Sequence, residues 1–228
     1  MIRKVSIRRS KSYEEILSLQ KEEFNQRINC RRNGISLPGD VVFFVEHNPV
    51  YTLGCHGNPQ NLLISKEMLN SKGIEYYEID RGGDITYHGP GQITVYPILD
   101  MERYKLGVKD YVNLMEETVI RTLREFDLKG ERIEGKSGVW IGKNTENERK
   151  ICALGIRCSR HITMHGFALN VGSDLEAFTG INPCGLGRNV TSISLEKGME
   201  VEIEKVEEIL WEHLTSLLQL RIPFQENS

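Results

Sequence analysis

The twelve residues RGGDITYHGPGQ, at positions 81–92, hold more special-purpose residues than any other part of the chain. Four glycines, a proline, a histidine and an arginine favour neither a strand nor a helix, and they predict a shaped loop whose backbone comes close to a ligand. Glycine N–H groups can hold an anionic or carbonyl oxygen there, while Arg81 and His88 supply a charge and a titratable ring. The alternative is a glycine-rich surface hairpin.

Two apolar runs flank this stretch, IEYYEI at 74–79 and ITVYPI at 93–98. Both have the length and composition of β-strands. Because ligands commonly bind where strands end at such loops, the sequence places the candidate site at one end of a sheet.

The length and composition predict one soluble domain over residues 1–228. A chain of 228 residues with 39% hydrophobic residues can bury one large core. The apolar runs are too short to span a membrane and the first residues carry no apolar signal core, so we expect a cytoplasmic protein with no membrane partner. Five cysteines with no CxxC pair argue against a disulfide framework and a structural zinc site, and predict free thiols and no bound metal.

The charge distribution bears on partners. A net charge of −3 and a pI near 6.1 do not favour a nucleic-acid partner. Residues 129–160 are locally basic, whereas residues 196–212 are strongly acidic. This asymmetry fits docking of an acidic protein partner, or it reflects two ordinary solvated surfaces.

The pattern of elements predicts the fold class. Ser12 followed by Glu15 resembles a capping box that opens a helix, and Ser65 is expected to cap a short helix ending at Gly73. Further helices are predicted over about 108–126 and 204–220, with buried strands at 41–45 and along 150–171. Helices inserted among hairpin-connected strands indicate an α+β protein with a mainly antiparallel or mixed sheet and flanking helices.

Cys184 is the cysteine best placed for chemistry. Asn182 and Pro183 before it and Gly185 after it predict a tight turn that presents the sulfur. A thiol needs a nearby cation to become a thiolate at neutral pH, and Lys150, at the start of a predicted strand, is a candidate for that cation. Taken from the residues alone, a structural role for Cys184 remains an alternative.

Five motifs together resemble one family. The stretch at 81–92, EHNPVYTLG at 46–54, KICALGIR at 150–157, HGFALNV at 165–171 and INPCG at 181–185 are similar to the octanoyltransferases of lipoate biosynthesis, the lipoyl(octanoyl) transferases. The resemblance implies a biotin/lipoate-ligase-like fold. It also implies transfer of an octanoyl group from octanoyl acyl carrier protein to a lysine of a lipoyl domain, the first step of protein lipoylation. The acceptors would be the lipoyl domains of 2-oxoacid dehydrogenases and the glycine cleavage H protein.

The same resemblance assigns roles to residues. Cys184 would form the acyl-thioester intermediate, and Lys150 would lower its pKa. In the second transfer a neutral Lys150, with help from His88, can take the proton from the incoming lysine amine. The substrate-contacting positions would be Arg81, Gly82, Gly83, Asp84, Ile85, Thr86, Tyr87, His88, Ala153, Leu154, Gly155, Gly166, Phe167 and Ala168. An apolar slot for the eight-carbon chain can be built from Ile85, Tyr87, Leu154, Phe167 and Leu169, although each of these also fits an ordinary core.

Two other functional classes stay open. An ATP-dependent lipoate- or biotin-protein ligase would share the fold, but it would need a nucleotide site and no catalytic cysteine, so Cys184 in its predicted turn favours the transferase. A non-catalytic carrier-binding module would keep its partners without Cys184 and Lys150. A thioester donor is already activated, so the transferase interpretation predicts that no cofactor is needed.

Overall fold

The computed structural model describes residues 2–8, 12–182 and 189–221. Its strands are β1 (Ile2–Arg8), β2 (Asp40–Glu46), β3 (Val50–Leu53), β4 (Glu75–Glu78), β5 (Ile85–His88), β6 (Gln92–Ile98), β7 (Glu131–Ile133), β8 (Lys136–Ile141), β9 (Arg149–Ser159), β10 (Ile162–Asn170) and β11 (Asn189–Val190). Its α-helices are α1 (Tyr13–Arg32), α2 (Lys66–Lys72), α3 (Val108–Arg124), α4 (Ile193–Lys197) and α5 (Ile203–Gln219).

The strands form two sheets. The larger has the order β1-β2-β6-β10-β9-β8-β7, with β11 pairing alongside β9, and the smaller has the order β4-β3-β5. Most pairs are antiparallel, whereas β1–β2, β3–β4 and β9–β11 are parallel. The predicted α+β class with a mixed sheet is therefore confirmed.

The larger sheet is covered on both faces. In β2 the side chains of Val41, Phe43 and Val45 pack with α1, and those of Val42 and Phe44 pack with α3 and α5, so the apolar residues of this strand are buried on both faces of the sheet. The small sheet packs its own apolar face against α2 and the 3₁₀ turn Leu175–Gly180. None of the helices in the described part of the chain is both long and apolar enough to cross a membrane.

The helix starts follow the predicted capping signals. Ser12 Oγ accepts a hydrogen bond from the Glu15 N–H, and the Glu15 carboxylate accepts one from the Ser12 N–H, which completes the capping box of α1. Ser65 caps α2, and Gly73 ends that helix in the left-handed conformation at φ 64°.

The prediction of a continuous loop over 81–92 is wrong in its middle. Residues Ile85–His88 form β5, which pairs with β3, because Ile85 and Tyr87 point together into the apolar core of the small sheet. The two flanking runs also do not meet in one sheet, since β4 belongs to the small sheet and β6 to the large one. The glycine-rich stretch therefore connects the two sheets.

The charged segments pair largely within the chain. Arg149 forms a two-pronged ion pair with Glu196 at 2.5 Å, which joins the basic segment to the acidic one. Glu207 of α5, with a side chain that is 5% exposed, binds Lys4 and Arg8 of β1. These contacts attach α5 to the edge strand of the large sheet. Part of the charge asymmetry in the sequence therefore serves ion pairs within the molecule.

Candidate functional site

A cleft lies between the two sheets, at the glycine-rich connection. Side chains from β5, β6, β9 and β10 form its walls, with Tyr13 from the first turn of α1. Of the residues predicted to contact substrate, the following line the cleft: Arg81, Gly83, Asp84, Ile85, Thr86, His88, Ala153, Leu154, Gly155, Gly166, Phe167 and Ala168. Lys150 lines the same cleft.

Two of the predicted residues lie elsewhere. Tyr87 lies on the same face of β5 as Ile85 but does not reach the cleft, and its ring packs against Tyr51 and Phe178 in the small-sheet core. Gly82 contributes backbone only: its N–H donates to Ile156 O at 2.9 Å. Leu169, suggested for the acyl slot, is fully buried in the core beneath α3 and α5. It does not line the cleft.

Small residues form part of the cleft floor. Ala153 of β9 pairs with Ala168 of β10, and Gly155 pairs with Gly166. A Cβ on Gly155 would lie 2.5 Å from Gly82 O, so glycine is required for the 81–83 segment to rest against the strand. Beside this contact, the small side chains of Ala153 and Ala168 line the cleft.

Arg81 is fixed in the cleft wall. Its guanidinium is buried, and it donates to Thr52 O at 2.6 Å and to Thr52 Oγ1 at 3.0 and 3.2 Å. Burial lowers the pKa of Arg81. The sequence pointed to Arg81 as a ligand-facing cation, and the structure adds that Thr52 of β3 orients it.

A hydrogen-bond chain sets the tautomer of His88. Asn170 Nδ2 donates to Thr191 O, so Asn170 Oδ1 accepts from Gln92 Nε2 at 2.9 Å. Gln92 Nε2 also donates to the carbonyl oxygen of residue 87, which leaves Gln92 Oε1 facing His88 Nδ1 at 2.8 Å. His88 therefore carries its proton on Nδ1. Its Nε2 faces Thr52 Oγ1 at 3.5 Å.

His88 is a neutral residue at neutral pH. Burial lowers its pKa to about 4, with the nearby Arg81 acting in the same direction. A ring with so low a pKa, held through both nitrogens, is a poor proton acceptor. The geometry therefore gives His88 an orienting and hydrogen-bonding role, and it does not support a part for His88 in deprotonating a substrate amine.

A second buried histidine at the cleft, His165, pairs with Asp80, and sequence reasoning did not predict this contact. His165 is buried, has a left-handed backbone at φ 59°, and its Nε2 lies 2.8 Å from Asp80 Oδ1. Its N–H donates to Gln20 Oε1 of α1 at 3.2 Å. Burial lowers the pKa of His165 despite the Asp80 carboxylate. The motif HGFALNV marked this position, but its pairing with Asp80 is long-range and leaves no local signal.

Lys150 lies near the end of the cleft where the chain enters β9. It pairs directly with Trp140 of β8 on one side and with Val190 of β11 on the other. Its Nζ lies 4.6 Å from the centroid of the Trp140 ring. The prediction that Lys150 lies at the start of a strand is confirmed.

Cys184 falls in the segment 183–188, outside the described residues. The described chain on both sides of this segment reaches the cleft, at Phe178 before it and at Val190 after it. Upstream, the Asn182 N–H donates to Asn61 O at 2.8 Å, and Asn61 Nδ2 donates to Asp84 Oδ2 at 2.6 Å.

The other cysteines have structural surroundings. Cys152 is buried beneath the sheet, where burial and the nearby Glu116 raise the pKa of its thiol. Burial also raises the pKa of Cys158. Cys30 is half-buried in α1, and Cys55 is exposed in the turn after Gly54. Cys152 and Cys158 are therefore disfavoured as thiolates.

Comparison with known proteins identifies the family. Residues 12–215 match the lipoyl protein ligase A/B catalytic domain. The chain is 48% identical over 222 residues to an octanoyltransferase of Christiangramia forsetii, covering 94% of this chain and 95% of that protein. It is 46% identical over 220 residues to an octanoyltransferase of Flavobacterium johnsoniae, covering 93% and 95% respectively.

Solved structures support the same fold. A bi-partite lipoate protein ligase from Thermoplasma acidophilum superposes with a TM-score of 0.71 at 17% identity, covering 100% of this chain and 87% of that one. A lipoate-protein ligase A bound with ATP gives a TM-score of 0.70 at 17% identity, covering 99% of this chain and 87% of that one. At these identities the likeness shows the fold alone, whereas the sequence match shows the family. The chain belongs to the lipoyl protein ligase A/B catalytic domain family.

Proposed function

We propose that this protein is an octanoyltransferase that moves an octanoyl group from octanoyl acyl carrier protein to a lysine of a lipoyl domain, through a thioester on Cys184. The observation that carries the proposal is the identity of 46–48%, over nearly the whole chain, to proteins named octanoyltransferase. Residues 1–228 act as one acyltransferase domain in this proposal. The reaction takes place in the cytoplasm, where a catalytic thiol stays reduced.

The position of Lys150 supports the thioester route. Lys150 lines the cleft, and the segment that contains Cys184 rejoins the described chain at Asn189–Val190, which pairs with Arg149 and Lys150. The Thr191 N–H also donates to Lys150 O at 2.9 Å. The chain leaving this segment is thus bonded to the strand that carries the proposed cation. Buried Cys152 offers a much poorer nucleophile.

Lys150 gives up a proton in the first acyl transfer and regains one in the second. In the first step the Cys184 thiolate attacks the carrier thioester, the new sulfur–acyl bond forms, and the carrier thiolate leaves with a proton from the Lys150 ammonium. In the second step the acceptor amine attacks the acyl-enzyme and gives its proton to the neutral Lys150 amine, while the Cys184 thiolate leaves. Lys150 returns to its charged form, so each turnover is complete without another proton donor.

The cleft wall suits an eight-carbon acyl chain. Ile85, Leu154 and Phe167 line the cleft with side chains that are anchored in the adjoining apolar cores, and the small side chains of Ala153 and Ala168 lie between them. The polar groups of Arg81 and His88 are held by protein partners and lie along the same cleft. The acceptors in this proposal are the lipoyl domains of 2-oxoacid dehydrogenases and the glycine cleavage H protein.

A transfer assay separates this proposal from an ATP-dependent ligase. Purified protein freed of nucleotide and treated with EDTA is incubated with octanoyl acyl carrier protein and a lipoyl domain, and the acceptor is weighed by intact mass spectrometry. We expect one octanoyl group per lipoyl domain at full rate, because a thioester donor is already activated. A strict requirement for ATP, or product from free octanoate with ATP and magnesium alone, would contradict the proposal.

A further inference from the structure

The indole ring of Trp140 lies against the charged end of Lys150. The two residues are direct cross-strand partners in β8 and β9, and Lys150 Nζ is 4.6 Å from the ring centroid. Trp140 is only 3% exposed, so packing fixes the orientation of its ring. From this geometry we propose that Trp140 is a positioning residue, which holds the Lys150 ammonium in place at the cleft. That this contact matters for catalysis rests on the proposed function, in which Lys150 acts on Cys184.

The contact has the geometry of a cation–π interaction. An indole face carries negative charge density, and it attracts a cation within about 6 Å of the ring centroid. The attraction strengthens where water is excluded, and here the ring is buried while Lys150 is half-buried. The ring therefore stabilises the charged form of Lys150.

An aromatic partner suits a lysine that must change its protonation state. The indole ring accepts no proton at neutral pH, so it does not compete for the proton that Lys150 gives and takes. A carboxylate in the same place would favour the ammonium more strongly and hinder its conversion to the amine. Trp140 therefore holds Lys150 in position, and it hinders the loss of the Lys150 proton less than a carboxylate would.

The other charged groups around this ring are paired in a different way. Lys136 Nζ lies 5.8 Å from the Trp140 centroid, farther away than Lys150 Nζ, and is 3.5 Å from Glu148 Oε1. Arg149, the neighbour of Lys150, binds Glu196 at 2.5 Å. Of the two lysines near the ring, Lys150 has the closer approach.

The test measures the pKa of Lys150 directly. Competitive acetylation with trace acetic anhydride across pH, followed by peptide mass spectrometry, reports the reactive amine fraction of Lys150 in the full chain. Trp140→Leu should lower the Lys150 pKa by roughly half a unit to one unit, a threefold to tenfold rise in amine fraction. Trp140→Phe keeps an aromatic face and should restore much of the wild-type value. Val139→Ala removes buried volume from the same strand and should leave the Lys150 pKa unchanged.

Two results would overturn the inference. One is a Lys150 pKa in Trp140→Leu equal to that of the wild type. The other is an equal shift in Val139→Ala, which would trace the effect to general loosening of β8. The proposed function is tested separately by iodoacetamide alkylation of Cys184. An unchanged alkylation profile in Lys150→Met would refute the action of Lys150 on Cys184, while the acetylation result for Trp140 would still stand by itself.

Discussion

Replacing Gly155 by alanine tests how the glycine-rich connection is held against the large sheet. A Cβ at this position would lie 2.5 Å from Gly82 O and 3.3 Å from Arg81 Cδ. The closest atom belongs to the backbone, so no side-chain rotation relieves the contact. The 81–83 segment must move away from β9 by about half an ångström or more to reach a tolerated distance.

The expected cost has two parts. Overpacking of a close backbone contact costs about 1–3 kcal/mol. The displacement also weakens the hydrogen bond from the Gly82 N–H to Ile156 O, now 2.9 Å long, which is worth about 1 kcal/mol. We therefore expect Gly155→Ala to lower the free energy of unfolding by about 2–4 kcal/mol. Because Arg81 moves with the segment, kcat/KM for octanoyl transfer should fall on the order of tenfold or more.

Urea unfolding and the transfer assay measure these two effects. Gly172→Ala is the matched control, since the nearest atom to its added Cβ would be Ser194 Oγ at 3.6 Å, an ordinary contact. This control should stay within about 0.5 kcal/mol of the wild type. If Gly155→Ala were as stable and as active as Gly172→Ala, the close packing of the 81–83 segment on β9 would be refuted.

Further predictions concern the titratable groups. The folded-state pKa of His88, about 4, lies below the unfolded value near 6.5, so its contribution to stability is present above pH 6.5 and is lost as the pH falls toward 4. Between pH 7 and pH 5 this loss is about 2 kcal/mol in urea unfolding, and it should be absent in His88→Gln but retained in His56→Gln, where the residue replaced is exposed. In Lys150→Met the pKa of the Cys184 thiol, followed by iodoacetamide alkylation, should rise toward that of a free thiol. Asp80→Asn should lower the pKa of His165 further, because the substitution removes the Asp80 carboxylate, which favours the protonated ring. NMR titration of the His165 ring measures this shift.

Local signals predicted most of the helices and the central strands. The Ser12 and Glu15 capping box, the Gly73 cap and the fully apolar run at 41–45 each act over a few residues, and the structure contains all three features. Such signals depend on backbone groups that lie within one turn or one strand. They are therefore readable without knowledge of the tertiary structure.

Elements that depend on distant partners were missed. β5 lies within the glycine-rich stretch, where its Ile85 and Tyr87 alternate toward one face, but only the pairing with β3 makes it a strand. β1 is a parallel edge strand held by β2 and by the ion pairs from Glu207, a residue about 200 positions away in sequence. Neither contact has a signature in the local sequence.

In the candidate site, too, some residues were marked by the local sequence and others depend on distant contacts. Arg81 and His88 stood out because glycines surround them, whereas the Asp80–His165 contact joins positions 85 residues apart. The left-handed backbone of His165 is also unusual for a residue other than glycine, so no propensity argument would have found it. Cys184 and Lys150 stood out from their local sequence, and the resemblance to the family assigned them their roles.

The most direct test of the central claim is to locate the acyl group on the enzyme. The protein is mixed with octanoyl acyl carrier protein without acceptor, quenched in acid, and mapped by peptide mass spectrometry with and without hydroxylamine. We predict a single hydroxylamine-sensitive octanoyl group on Cys184, lost in Cys184→Ser, and its transfer to a lipoyl domain when acceptor is added before the quench. An octanoyl group on Cys55, Cys152 or Cys158 instead, or full turnover by Cys184→Ser, would contradict the account.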